Sequence, residues 1–377
     1  MPTYDVIVLG TGGVGSAAAF HLAQRGAKVL GIDQFTGGHD RGSSHGQTRV
    51  IRQAYFEHPD YVPLLLRSYE LWRELEQRSG SNLLHQVGLL QVGPPEGVVV
   101  RGVLESARLH NLPVEELSCE AVQRRFPGFR VQEGMLGVFE PAAGYLKVEQ
   151  CVLAHLAAAK QHGAEFRFGC QARSWHVERG GVRVVTDAGD FSAAKLIVTA
   201  GPWAPRLLAS LGIPLVVRRK HLYWFENDAP CFREDRGCPT YLYELPQGIF
   251  YGFPQIDERG AKAAEHSGGA IVEDPATDPR ELDVADLARV TEFLASYLPG
   301  VSHSLRERSV CFYTMSPDEH FLLDRAAESE HVWFAAGLSG HGFKFTSVLG
   351  QALAELATSA RTALPIAFLS ADRFRTT

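Results

Sequence analysis

The segment from Tyr4 to Asp33 constrains this chain more than any other. Tyr4–Leu9 is a short, continuously apolar run, the pattern of a buried parallel strand. It breaks on Gly10-Thr11-Gly12-Gly13-Val14-Gly15. Ser16–Gln24 then sets Ala, Phe and Leu at helical spacing, with Gly26 placed to end the helix. Lys28–Ile32 is a second apolar strand, closed by Asp33 and Gln34. Strand, glycine turn, helix and strand form a βαβ unit with glycines at 10, 12 and 15. In such a unit the first glycine makes the turn, the second admits a pyrophosphate to the backbone, and the third packs helix on sheet. Gly13 and Val14 open the helix, whose free N–H groups suit phosphate. Asp33 lies where a carboxylate accepts from a ribose hydroxyl. The segment therefore predicts dinucleotide binding, without separating NAD from FAD.

The chain has 377 residues, which at roughly 100–200 residues per domain predicts two domains. With 45% hydrophobic and 21% charged residues it is neither a disordered tail nor a coiled coil nor a collagen-like fibre. A net charge of −6 argues against nucleic acid or an anionic membrane as the main partner. No apolar run approaches the roughly 20 residues of a membrane span, no signal-peptide pattern is seen, and Phe374-Arg375-Thr376-Thr377 is not a peroxisomal tripeptide. The cysteines are Cys119, Cys151, Cys170, Cys231, Cys238 and Cys311. They form no CxxC and no zinc spacing, so no metal is expected. Scattered thiols of this kind predict a reducing, cytoplasmic setting.

Further elements are set by periodicity. A helix begins near Asp60 as cap and Pro63 in the first turn, carries Leu65, Tyr69, Trp72 and Leu75 on one face, and stops at Gly80. Val148–His162 repeats that pattern up to Gly163. Glu165–Phe168, Trp175–Glu178, Val182–Thr186 and Lys195–Thr199 read as a strand meander. Leu215–Val217, Leu222–Phe225, Ile249–Phe253 and Ala270–Val272 are expected strands. Asp286–Leu298 is an expected helix, Val332–Ala336 a buried strand, and Phe343–Leu356 a last helix. With no internal repeat or low-complexity linker, the two domains are expected to interleave.

Two later segments favour FAD. Ile197-Val198-Thr199-Ala200-Gly201 resembles the strand-to-loop return of two-dinucleotide-fold flavoproteins, and Gly337–Gly342 sets a second glycine cluster between an apolar strand and a helix. The chain then resembles one family closely, that of monomeric sarcosine oxidase, N-methyltryptophan oxidase and the peroxisomal sarcosine and pipecolate oxidases. The resemblance is carried by Ser43-Ser44-His45-Gly46-Gln47-Thr48-Arg49-Val50-Ile51-Arg52, by Tyr251-Gly252-Phe253-Pro254, by Cys311-Phe312-Tyr313-Thr314 with Pro317–Phe321, and by Gly337-Leu338-Ser339-Gly340-His341-Gly342-Phe343-Lys344-Phe345. It spans residues 4 to about 374.

That resemblance implies FAD attached covalently, through the Cys311 sulfur and the 8α-methyl group. It also implies that Ser43, Ser44, Thr48, Arg49, Ala172, Ala200, Gly201, Trp203, Gly340, His341, Gly342, Phe343 and Lys344 join Gly10–Gly15, Asp33 and Gln34 as cofactor residues. By the same resemblance, Arg52 and Lys344 bind the substrate carboxylate, a task suited to a guanidinium fork. If their segment is helical, Arg49 and Arg52 share a face. The family pattern sets Arg49 and His45 beside the flavin ring and has Lys262 assist dioxygen as a fixed cation. It puts His266 on the substrate side and makes Tyr251 and Tyr313 aromatic walls. Leu242 stands where the sarcosine enzymes have methionine, and Gln47 where the bacterial enzymes tend to have aspartate. Both departures bear on the substrate rather than the reaction.

The expected fold is mixed α/β, a Rossmann-like FAD domain with an interleaved antiparallel-sheet substrate domain. Residues 1–82, 146–214 and 311–377 are assigned to the first and 83–145 and 215–310 to the second. The expected activity is oxidation of a small N-substituted amino acid by dioxygen, sarcosine first. N-methyltryptophan, pipecolate or proline and glycated amino acids are alternatives, and a flavin dehydrogenase with another acceptor is a different class. A monomer is the expected state.

Overall fold

The computed structural model describes residues 3–374 except 328. The C-terminal tripeptide therefore falls outside the described residues. Three sheets organise the molecule. The first has a parallel core in the order Glu165–Arg167, Val29–Ile32, Tyr4–Leu9, Gly189–Val198, with Val332–Ala336 parallel to the last of these. Gly189–Val198 is long enough to serve two neighbours. Its first half pairs antiparallel with Gly181–Thr186, and its second half runs beside Val332–Ala336. Continuous apolar runs are what a sheet covered on both faces requires.

The helix Gly13–Gln24 comes directly after the first strand and is buried along nearly its whole length. It packs against Thr346–Ser359 so closely that a Cβ on Gly350 would lie 2.5 Å from the Ala17 Cβ. Val148–Gln161 and Val62–Ser79 complete this layer. The last ends on Gly80 in the left-handed conformation (φ 66°), as its sequence predicts. Asp60 is not the cap expected of it. His58 caps the preceding turn by accepting from the Asp60 N–H through Nδ1, and Pro63 stands in the first turn of the helix proper.

The second sheet is largely antiparallel, in the order Ile271–Val272, Val216–Phe225, Ala261–Glu265, Gly248–Phe253, Thr240–Leu245, Leu89–Gly93, Leu136–Glu140 and Glu115–Leu117, with Leu305–Met315 on the free side of Val216–Phe225. It departs from the sequence expectation. The two strands expected at 215–217 and 222–225 are one, because Arg218-Arg219-Lys220-His221 continues the ladder opposite Val310–Tyr313. That polar run carries no apolar alternation, so periodicity alone breaks it. Ala261–Glu265 and the polar first half of Leu305–Met315 escape periodicity for the same reason, and Thr240–Leu245 is a further strand not expected from the sequence. A third, small sheet joins Thr48–Ile51, Gly144–Lys147 and Leu84–His85.

Candidate active site

Arg49 lies in the strand Thr48–Ile51 and Arg52 just beyond it, so the helical face expected to join them does not exist. In a strand, residues three apart point to opposite faces, and the bend after Ile51 brings Arg52 back. Both arginines line one cavity, partly open to solvent, that runs between the first and second sheets.

Gly10, Gly12, Gly13, Val14, Asp33, Gln34, Ser43, Ser44, Ala172, Ala200, Gly201 and Trp203 line one end. Gly10 has φ 87°, and a Cβ there would lie 2.5 Å from the Thr199 carbonyl oxygen. A Cβ on Gly15 would come within 1.8 Å of the Gly10 carbonyl oxygen, so only glycine lets the helix sit this tightly on the turn. Asp33 accepts from the Thr11 N–H at 2.7 Å, the Thr11 hydroxyl at 3.1 Å and the Phe35 N–H at 3.0 Å. Its carboxylate is thereby aimed past the strand end, with acceptor capacity left.

The other end is lined by Arg52, Glu57, Leu242, Tyr251, His266, Tyr313, His341 and Lys344, with Gly340, Gly342 and Phe343 between the two ends. The Arg52 guanidinium stacks over Tyr55 and Phe56, 4.2 and 4.3 Å from their ring centres. It donates to both oxygens of Glu57 at 2.7 Å. Glu140 accepts from the Gln53 and Ala54 N–H groups and fixes the backbone beyond Arg52. Burial raises the Glu140 pKa to about 7, against those two bonds and Arg52. Lys344 donates to the His341 carbonyl at 2.7 Å. Burial, then Arg52, brings its pKa down to about 7. Burial works against the Glu57 charge, but Arg52, His341 and Lys344 outweigh it and hold Glu57 at about 2. His341 accepts from the Tyr55 hydroxyl at Nδ1 (2.5 Å) and donates from Nε2 to the Glu319 carbonyl.

Tyr313 lies 3.3 Å from His266 through its hydroxyl. Burial, then Lys220, drops His266 to about 3, so its ring is neutral.

Gly15, His45, Thr48, Lys262 and Cys311 do not line the cavity wall. His45 is buried, with Nε2 3.1 Å from the Gly42 carbonyl, and burial together with Arg49 lowers it to about 3. Lys262 is turned into an oxygen cage, donating to the Gly46 carbonyl at 2.6 Å, the Thr48 carbonyl at 3.0 Å and the Thr48 hydroxyl at 3.2 Å. Burial pulls its pKa well below the usual lysine value, with Arg49 adding to the effect. Cys311 is buried, two residues from Tyr313 on one strand and so on the same face. It is paired across the ladder with Lys220.

The FAD dependent oxidoreductase family model matches residues 5–356. The chain belongs to that family. It is 41% identical to a monomeric sarcosine oxidase of Streptomyces avermitilis over 99% of this chain and 98% of that one. It is 38% identical to an N-methyl-L-tryptophan oxidase of Yersinia pestis over 99% and 100%. Among solved structures, NikD, an amino acid oxidase essential for nikkomycin biosynthesis, aligns with a TM-score of 0.87 and 26% identity over 98% of each chain.

The cavity fits the family's cofactor. Three buried polar groups of residues on its wall, Trp203 Nε1, Thr314 Oγ1 and Thr346 Oγ1, have no hydrogen-bond partner among the described residues. Such orphans are rare unless something else satisfies them. Ser44 Oγ accepts from the Gly13 N–H and Ser43 Oγ donates to the Phe312 carbonyl, tying the loop to the first helix and to the second sheet. Among the described residues, no helix is long and apolar enough to cross a membrane.

Sequence reasoning missed Glu57, Glu140 and Lys220. A glutamate five positions after an arginine outside a helix carries no spacing signal, Glu140 reaches the Gln53 and Ala54 N–H groups only through tertiary packing, and Lys220 meets Cys311 only through sheet register.

Proposed function

We propose that this FAD dependent oxidoreductase oxidises small secondary amino acids, sarcosine first, with dioxygen as acceptor and glycine, formaldehyde and hydrogen peroxide as products. One observation supports this above others. Arg52, Lys344 and Glu57 meet in one buried pocket at the far end of the dinucleotide cavity, two cationic groups against one carboxylate. A buried excess of positive charge is costly unless paired, and a substrate carboxylate is the partner that balances it. Arg52 must exchange one or both Glu57 bonds for that carboxylate, a move its fork geometry allows. Tyr251, Tyr313 and Leu242 bound the space beside it and would hold the amine end in place. His266, being neutral, presents no competing charge there.

Bound FAD would supply the two-electron acceptor for the substrate C–H bond and pass those electrons to dioxygen. The glycine turn and Asp33 would bind its pyrophosphate and ribose. Arg49 would stand beside the ring, and the buried Lys262 would supply the positive charge that favours electron transfer to dioxygen. A thioether to Cys311 is part of the same reading. Its support is the shared face with Tyr313 and a ring of basic groups, Arg49, Lys220, Lys262 and Arg280, that interact electrostatically with the thiol. The enzyme works as a monomer in a reducing cytoplasm, its other five cysteines left as free thiols.

A peroxide assay against sarcosine, N-methyltryptophan, pipecolate, proline and a glycated amino acid tests the proposal. Highest kcat/KM with sarcosine supports it, and peroxide from none of them refutes it. Acid precipitation tests the linkage: a yellow pellet supports Cys311 attachment, whereas a white pellet under a yellow supernatant overturns it.

A further inference from the structure

Gln47 is the point at which the Lys262 cage is built. Its φ is 70°, in the left-handed region that residues other than glycine rarely adopt. Such a backbone persists only where its surroundings over-determine it, and here they do. The Glu149 carboxylate accepts from the Gly46 N–H at 2.7 Å and the Gln47 N–H at 3.1 Å, and the Gln47 carbonyl accepts from the Val148 N–H at 3.0 Å. The side chain is pinned at both ends. Oε1 accepts from the Trp224 indole at 2.8 Å, and Nε2 donates to Asp257 Oδ2 at 2.6 Å. The consequence falls on the neighbours. The carbonyls of Gly46 and Thr48, on either side of Gln47, converge on Lys262 Nζ. The Trp224 ring that Gln47 holds lies 5.0 Å from the same nitrogen, with Phe253 at 4.8 Å.

We propose that Gln47 is a positioning residue for Lys262, fixing the two carbonyls and the indole that aim its ammonium. This rests on the role proposed above for Lys262 in the reaction with dioxygen. A glutamine is needed because it must donate to one partner while accepting from the other. A carboxylate at this position accepts only, and it would face the Asp257 carboxylate.

The test compares Gln47→Glu, Gln47→Glu/Asp257→Asn and Lys262→Met in the holoenzyme, measuring anaerobic reduction by sarcosine and reoxidation by dioxygen separately. Misplacement of a group by about an ångström costs on the order of 10- to 100-fold. Gln47→Glu is therefore expected to slow reoxidation by about that factor while reduction stays within about twofold. The double variant restores the complementary pair and is expected to regain most of the rate. A second readout is independent of turnover: the near-ultraviolet circular dichroism of Trp224, assigned by difference against Trp224→Phe, should change in Gln47→Glu and return in the double variant. Normal reoxidation in Gln47→Glu, with Lys262→Met impaired, overturns the inference, as does equal slowing of both half-reactions. Normal reoxidation in Lys262→Met overturns the reading of Lys262 itself.

Discussion

Two residues carry the sharpest expectations. Gly15 is in contact with the carbonyl of Gly10, and the missing side chain is what allows it. Gly15→Ala must push the helix Gly13–Gln24 off the turn, and forced overpacking of this kind costs about 1–3 kcal/mol. The variant should purify without flavin, seen as loss of the visible absorbance, and unfold at lower urea concentration. Retention of a full flavin complement would show that the turn tolerates the shift. Lys344 gives a pH expectation. With its pKa near 7 in the free protein, it is charged below that value and neutral above it. Binding of a simple carboxylate such as acetate should therefore weaken as pH rises through 7, by up to about tenfold per unit once Lys344 has lost its proton. In Lys344→Met the dependence should vanish and the affinity should be low throughout, read by spectral titration. Neither expectation is open to the sequence alone. The spacing of glycines predicts the turn, but the burial that brings Lys344 to about 7, with Arg52 adding to it, depends on segments far apart in the sequence.

At the level of elements, what is legible in the sequence is whatever buries two faces or one clean stripe. The first strand, its helix, Val332–Ala336 and the helices ending at Gly80 and near Gly163 stand where the sequence predicts them because apolar periodicity and a terminal glycine agree there. The strand carrying Lys262 is hidden, because Ala-Lys-Ala-Ala-Glu is neither apolar nor alternating. It is a strand only because Tyr223–Phe225 and Phe250–Phe253 pair with it on both sides. The same limit applies to Val98–His110, whose start is set from a distance. Gly97 precedes it with no side-chain cap, and the Glu244 carboxylate, from the strand Thr240–Leu245, accepts from the Val98 and Val99 N–H groups at 2.9 and 2.8 Å. Removing it should act as the loss of a cap does, costing about 0.5–2 kcal/mol. Glu244→Gln should retain part of this and Glu244→Ala none, by urea denaturation. Because the contact lies away from the cavity lining, kcat/KM should be unchanged in both. A change in kcat/KM larger than the change in folded fraction would place Glu244 in the site.

The whole molecule shares one electrostatic property, which is that it buries histidine as the neutral ring. Burial, reinforced at several of them by nearby cations, holds His45, His155 and His266 at about 3 and His341 at about 4, and lowers His21 well below its usual value. Two of these, His21 and His155, lie in the helical layer outside the cavity lining, each with a ring nitrogen that has no partner among the described residues. The unfolded chain takes up protons on all five near pH 6.5, whereas in the folded chain His45, His155, His266 and His341 resist until about 3 to 4, and His21 also takes up its proton well below its usual value. Below pH 6.5 the unfolded state therefore binds more protons, and stability falls as pH falls. Each such histidine contributes up to about 1.4 kcal/mol per pH unit. Five together would exhaust a typical margin of about 5–15 kcal/mol within a few units. Glu57, held at about 2 by Arg52, His341 and Lys344 despite its burial, adds a further loss once the pH drops below the usual carboxylate range. The holoenzyme should accordingly lose thermal stability steeply between pH 6.5 and 4. His155→Phe removes one titrating group from a site walled by Phe20 and Trp72. It should flatten the acid limb of the melting temperature against pH by one proton. An unchanged slope in that variant would mean that His155 is already protonated in the folded protein, and that its burial is compensated by something other than the loss of its charge.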